Sequence, residues 1–279
     1  MLSTVIAGME WAAGEVGADI VNMSLSADPT AYGGALVAQA VEDLTATYGT
    51  LFVVAAGNNG CDACVQTPGI APSALTVGAV DRTDQLADFS SRGPAPVTHA
   101  LKPDLTAPGV GIVAARAAEG RLGGEGPYLE LSGTSMATPH VAGAAALLAQ
   151  ARPDLTAAEL KGALMSTAAP TPGLTVYEQG AGRVDVGRLM ASPVLAVPGS
   201  LDFGVVERTD DAPAARLTVT YRNVSDEPVT LDLAAQLGEN GAELVTVEPA
   251  RLTIPAGGTG SARVSLDSRR ASWASTPAC

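Results

Sequence analysis

Leu51-Phe52-Val53-Val54-Ala55-Ala56 is an unbroken apolar run of strand length. Such a run fits a strand of a parallel sheet covered on both faces, because a half-exposed strand would alternate apolar with polar residues. On its N-terminal side, Gly34 to Tyr48 carries helical periodicity, and before that Ile20-Val21-Asn22-Met23-Ser24-Leu25 reads as another strand. Val5, Met9, Ala12 and Ala13, with Trp11 beside them, fit one face of a short leading helix. On its C-terminal side, Ala74 to Val80 and Gly111 to Ala115 are further strand candidates. They are separated by Gly- and Pro-rich stretches around Ser90-Ser91-Arg92-Gly93-Pro94 and Lys102-Pro103-Asp104. Helix and strand in alternation predict an α/β domain built on a parallel sheet.

Thr134 to Gln150 places small and aliphatic residues on nearly every face, which predicts a helix buried in the middle of the domain. Its Pro139 lies near the start, where a missing amide costs least. Thr156 and Glu159 form a T-x-x-E capping box opening a helix with Leu160 and Leu164 on one face. This domain is expected to occupy residues 1–190. Beyond it the period changes to two, in Leu217-Thr218-Val219-Thr220-Tyr221, Val229-Thr230-Leu231-Asp232-Leu233 and Arg263-Val264-Ser265-Leu266. Short strands broken by Gly, Pro, Asn and Asp predict a small β-sandwich of immunoglobulin or fibronectin kind over residues 192–279. Arg269 to Cys279 reads as a tail or an incomplete last strand.

The chain has 279 residues, with 16 Lys and Arg against 29 Asp and Glu, a formal net charge of −13. An acidic chain lacks the clustered cations that nucleic-acid binding requires, so nucleic acid is excluded as an expected partner. Val141 to Ala149 is the longest small or apolar run, short of the roughly 18 residues of a membrane span. The first residues contain Glu10 and no basic segment, so no export signal is read there. Cys61 and Cys64 make a single CxxC with no second pair to complete a zinc site. A local disulfide is favoured over two free thiols, and Cys279 is left over. Asn223-Val224-Ser225 fits a glycosylation sequon and is assigned no role.

The strongest chemical signal is Gly133-Thr134-Ser135-Met136-Ala137-Thr138-Pro139-His140-Val141-Ala142-Gly143. A serine in the first turn of a helix sits near unpaired backbone amides and the positive end of the helix dipole, which suits a nucleophile whose reaction develops negative charge nearby. This segment resembles the catalytic-serine signature of the subtilisin-like serine peptidases (subtilases). Val21-Asn22-Met23-Ser24-Leu25, Ala55-Ala56-Gly57-Asn58, Phe89-Ser90-Ser91-Arg92-Gly93-Pro94 and Lys102-Pro103-Asp104-Leu105-Thr106-Ala107-Pro108-Gly109 resemble further stretches of that family, in order. Gly180-Ala181-Gly182-Arg183-Val184-Asp185 resembles its closing segment, and the predicted sandwich resembles the fibronectin-like domains that follow the catalytic domain in larger members.

The resemblance implies that Ser135 is the acylated nucleophile, with its own backbone amide and the side-chain amide of Asn58 holding the oxyanion. Read without it, Gly57-Asn58-Asn59-Gly60 is also good turn chemistry. Ser24-Leu25-Ser26 and Ala55-Ala56-Gly57 are expected to line the cleft and pair with an extended peptide, Gly57 leaving room for a side chain. Subtilases order their triad Asp, His, Ser, and the first two precede every stretch matched here. The expectation is therefore an α/β subtilisin-like domain with its N-terminal part missing, needing that part as a partner and nearly inert without it. His140 is expected to be a satisfied helix residue and His99 a solvent-exposed one. The parent would be extracellular. No cofactor is implied, and structural calcium, common in the family, has no oxygen-rich ligand loop here. The alternative is a non-catalytic remnant that binds peptides or glycans.

Overall fold

The computed structural model describes residues 2–29, 34–117, 120, 126–206, 214–236 and 244–270. Cys279 and most of the expected C-terminal tail lie outside the described residues. The chain divides into two compact units, Met1–Ala191 and Ser192–Cys279.

In the first unit, helix α1 (Leu2–Glu10) runs into a single π turn (Trp11–Glu15) and then strand β1 (Ile20–Met23). Helix α2 (Gly34–Tyr48) crosses back to β2 (Leu51–Ala55), followed by β3 (Leu75–Val80) and β4 (Leu105–Pro108). The four strands form one parallel sheet in chain order, β1-β2-β3-β4. Every residue of β2 is buried, as its unbroken apolar run requires. Phe52 and Val54 join Met9, Ala13, Val37, Val41 and Leu44 in a core beneath α1 and α2. Helices α3 (Thr134–Ala151) and α4 (Ala157–Ser166) also pack on the sheet, α3 against all four strands. The Thr156–Glu159 capping box that starts α4 is formed.

Three sequence expectations change. Ile112–Ala115 (β5) does not join the parallel sheet; it pairs antiparallel with Tyr128–Leu131 (β6) in a separate hairpin. The fourth parallel strand is instead β4, which ends on Pro108. Proline is tolerated there because β4 is the last strand of this sheet, where a missing amide breaks no ladder. Helix α3 is not covered on all sides: Ala137, Val141, Ala144, Ala145 and Leu148 are buried, whereas Leu147 is 50% exposed. Alanine and glycine are almost as compatible with solvent as with a core, so their spread around the helix did not report its buried face. Short helices α5 (Val176–Gln179) and α6 (Val186–Ala191) close the unit.

A charge cluster is buried where β3 and β4 meet. Asp104 accepts from Lys102 Nζ at 2.7 Å and pairs with Lys161 Nζ at 3.0 Å. Its Oδ2 also accepts the Thr76 amide, and Lys102 further donates to the Ala74 carbonyl and the Thr76 hydroxyl. Burial is the larger influence on Lys102 and lowers its ammonium to about 8 despite the carboxylate beside it. Burial alone would raise Asp104, but Lys102 and Lys161 hold it below its ordinary range.

The second unit is antiparallel. Strands β7 (Val194–Val197), β8 (Ala215–Asn223), β10 (Val245–Glu248) and β12 (Thr259–Leu266) form a sheet ordered β10-β12-β8-β7, while β9 (Val229–Asp232) pairs with β11 (Arg251–Ile254). Leu195, Val219, Ile254 and Ala262 are its buried apolar residues. Asn223, the sequon asparagine, is fully buried among them. Its Nδ2 donates to the carbonyls of Glu227, Ile254 and Pro255, and its Oδ1 accepts from the Ser225 amide and hydroxyl. The nitrogen a glycan would need is thus committed to holding β8 against the β11 end.

Replacing Asp104 by Asn leaves two ammonium groups without their carboxylate, and is expected to cost about 3–5 kcal/mol in urea unfolding. The wild-type contribution is complete above the ordinary carboxylate value of 3.8 and is lost as pH falls through the lower folded value, because the unfolded chain takes up the proton first. Asn223→Ala is expected to cost at least about 2 kcal/mol in the same measurement, since three carbonyls lose their donor, that of Ile254 in a buried bond and those of Glu227 and Pro255 in part-buried ones.

Candidate active site

Parallel β1 and β2 end at the same edge of the sheet, with Met23 beside Val54. Their exits, Ser24-Leu25-Ser26 and Ala56-Gly57-Asn58, therefore run side by side. The start of α3 is brought to the same edge through Gly109, just after β4. Gly109 donates to Val80 and accepts from Gly133, while a Cβ on it would lie 2.8 Å from both the Ala79 Cβ and the Gly133 carbonyl. Only glycine permits that approach.

Asn58 is fixed from one side. Its Oδ1 accepts the Thr134 amide at 2.8 Å and the Thr134 hydroxyl at 3.0 Å, so the side chain caps the first turn of α3. Among the described residues nothing hydrogen-bonds to Nδ2, the other end of the amide, and Asn58 is exposed. The Thr134 hydroxyl in turn accepts the Gly57 amide at 3.3 Å. Thr134 was not singled out in the sequence; within the quoted signature nothing marks it as the residue that orients Asn58.

Ser135 follows directly. Its Oγ donates to the Ser24 carbonyl at 3.2 Å, and Ser24 Oγ donates back to the Ser135 carbonyl at 2.7 Å. This reciprocal pair binds the first turn of α3 to the exit of β1. Among the described residues, neither histidine bonds to Ser135. His140 Nδ1 lies 2.8 Å from the Met136 carbonyl of its own helix, and His99 sits on an exposed loop. No group of three or more His, Cys, Asp or Glu among the described residues is placed to hold a metal ion.

The two lining segments differ in what they offer. Among the described residues, the backbone polar groups of Leu25 and Ser26 meet no partner, so this segment is an open pairing edge. Ala55 and Ala56 are buried. The Ala56 amide donates to Val77, its carbonyl accepts from Gln66, and the Gly57 carbonyl accepts from Ser91. Ala56 and Gly57 consequently have no backbone group left for an added strand, contrary to the sequence expectation. Gly57 has φ +108, a conformation suited to glycine. Cys61 and Cys64 form a disulfide in the loop that follows Asn58.

The family model described as "Subtilase family" matches residues 2–184. The chain belongs to the subtilase family. It is 35% identical over 184 residues to the minor extracellular protease Vpr of Bacillus subtilis (strain 168), covering 64% of this chain and 22% of that protein. Identity to subtilisin E of the same organism is 40% over 169 residues, covering 60% of this chain and 39% of the relative. The chain thus spans between about a fifth and two fifths of the length of these relatives. Among solved structures, the prenylagaramide maturation protease PagA aligns with TM-score 0.56 and 28% identity, over 68% of this chain and 67% of that one. The self-cleaved protease domain of PatA aligns with TM-score 0.55 and 32% identity, over 68% and 66%.

Asn58 has a capping role separable from its amide. Asn58→Ala removes the acceptor at the start of α3 and is expected to cost about 1 kcal/mol in urea unfolding. Asn58→Asp keeps an acceptor, places negative charge at a helix N-terminus, and should match wild type in that measurement.

Proposed function

We propose that this chain is the nucleophile-bearing part of a subtilisin-like serine endopeptidase acting on extended polypeptides. The observation that supports it most is the double anchor of Asn58 Oδ1 on Thr134, which fixes the carboxamide at the residue before Ser135 and leaves its Nδ2 without a partner among the described residues. In the proposed reaction a substrate strand pairs with Leu25 and Ser26. Ser135 Oγ attacks the scissile carbonyl carbon while a base takes its proton. Asn58 Nδ2 and the Ser135 backbone amide hold the oxyanion, the amine leaves with the proton, and water then hydrolyses the acyl-serine. All of this is carried by protein groups and calls on no cofactor.

The base and its orienting carboxylate must come from polypeptide outside these residues, since His99 and His140 are placed elsewhere. Serine without a base is a weak nucleophile, so the 279-residue chain alone is proposed to bind peptides without cutting them. An extracellular setting is supported by the Cys61–Cys64 disulfide and by the extracellular relative.

The test is casein hydrolysis by a polypeptide in which this chain is joined to, or co-folded with, a subtilase segment supplying His and Asp. The completed enzyme should cleave and the isolated chain should not. Ser135→Ala should abolish cleavage. Asn58→Asp should lower kcat by about a hundredfold to a thousandfold, a magnitude carried over from subtilisin, while leaving the fold intact. Full activity of Ser135→Ala in the completed enzyme would contradict the proposal.

A further inference from the structure

We infer that the Cys61–Cys64 disulfide is a reversible thiol–disulfide exchange site whose state decides whether the loop after Asn58 stays clasped to residues 89–93. Cys61, Asp62 and Ala63 are exposed and Cys64 is half-buried, so a thiol in solution reaches the bridge. The two cysteines are only 3 residues apart in sequence. A bridge over so short a span removes less freedom from the unfolded chain than one that closes a long loop. Exposed bridges of this kind are the ones that exchange, whereas the bridges that staple a core resist reduction.

The ring grips a single residue. The Arg92 amide donates to the Cys61 carbonyl at 3.0 Å, and the Arg92 carbonyl accepts from the Cys64 amide at 3.1 Å. The Arg92 guanidinium donates to Asp62 at 2.6 Å and to the Gly60 carbonyl at 3.2 Å. Beside them the Ala63 amide donates to the Gly93 carbonyl at 3.1 Å. This turn puts Ala63 at φ +51, in the left-handed region that a residue with a Cβ avoids. The sulfur bond and the clasp hold Ala63 there together. Once the sulfur bond is gone, the clasp alone opposes the preference of Ala63, and the loop has a second state to relax into.

The same strip continues to Asn58. Ser91 donates its amide to the Gly57 carbonyl at 3.0 Å and accepts the Asn59 amide on Oγ at 3.1 Å, so both neighbours of Asn58 hang on the residue next to Arg92. The effect on catalysis rests on the reading of Asn58 given above; the exchange site itself does not. In the exchange, a thiolate such as glutathione attacks the exposed Cys61 sulfur, the sulfur–sulfur bond breaks, and Cys64 leaves as a thiolate that takes up a proton. A second glutathione thiolate then attacks the sulfur of the first. Cys61 leaves as a thiol after protonation, and the two glutathiones depart joined as their disulfide. The chain gains two electrons and two protons, and glutathione supplies the electrons.

The experiment uses the folded 279-residue chain carrying Cys279→Ser, which leaves the two ring cysteines as the only ones in the sequence. Samples equilibrated with reduced or oxidised glutathione are trapped with iodoacetamide and weighed, and amide hydrogen exchange is followed in each. Reduced glutathione should open the ring while residues 51–55 keep their protection, and oxidised glutathione should close it again. The amides of Ala63, Cys64 and Arg92 should exchange at least about tenfold faster in the reduced form. Joint replacement Cys61→Ser and Cys64→Ser should reproduce that pattern. Ala63→Gly, which removes the cost of the left-handed turn, should cut the acceleration by about threefold or more. A ring that resists glutathione until the whole chain unfolds overturns the exchange site, and a ring that opens with no change at these amides overturns the clasp. In the completed enzyme, reduction should lower kcat several-fold; an unchanged kcat would overturn the link to Asn58. The mass and exchange readouts need no activity, so their outcome is independent of the peptidase reading.

Discussion

The contact that the site depends on is the one between Asn58 and Thr134. Helix α3 packs against every strand of the parallel sheet, and its first turn is fastened to the exit of β2 through the Asn58 carboxamide oxygen. Ser135 is fastened to the exit of β1 one residue later. Three elements distant in sequence are thus locked together within a few residues of one sheet edge. The same bonds that satisfy the orphan amides of a helix start also fix the direction of a side-chain donor. In the proposed function, stability and chemistry share one geometry, and only the Nδ2 end of the amide would serve chemistry alone.

The surrounding structure keeps that edge in place. The buried Lys102–Asp104–Lys161 cluster joins the entry of β4 to Thr76 of β3 and to α4. The loop from Asn59 to Gln66 is bonded along its length to residues 89–93, with Arg92 paired to Asp62 at 2.6 Å, and carries the disulfide.

Much of this was legible in the sequence, for identifiable reasons. Gly34–Tyr48 was readable because its apolar spacing is helical, and β2 because a strand covered on both faces has no polar residue to interrupt it. The Thr156–Glu159 capping box announced α4. Ser135 and Asn58 stood out because the surrounding motif is long and specific, and the structure brings their segments to one sheet edge. The strand Leu105–Pro108 was hidden by flanking prolines, which ordinarily signal a loop. Lys102 and Asp104 read as a polar break although both are buried, since two opposite charges two residues apart do not announce that they pair. The placement of Gln66 was invisible for a different reason: it meets a glycine nine positions earlier and a serine forty positions earlier, and no local pattern encodes that meeting.

The central claim is that Ser135 is a preassembled nucleophile awaiting a base from elsewhere. It is tested most directly by following the mass of the protein during reaction with a fluorophosphonate probe and mapping the modified residue. The account predicts slow, substoichiometric labelling of the isolated chain, and fast labelling of one site, Ser135, once a segment bearing the subtilase His and Asp is supplied. Rapid stoichiometric labelling of Ser135 in the isolated chain, or labelling of a different residue in the completed enzyme, would contradict it.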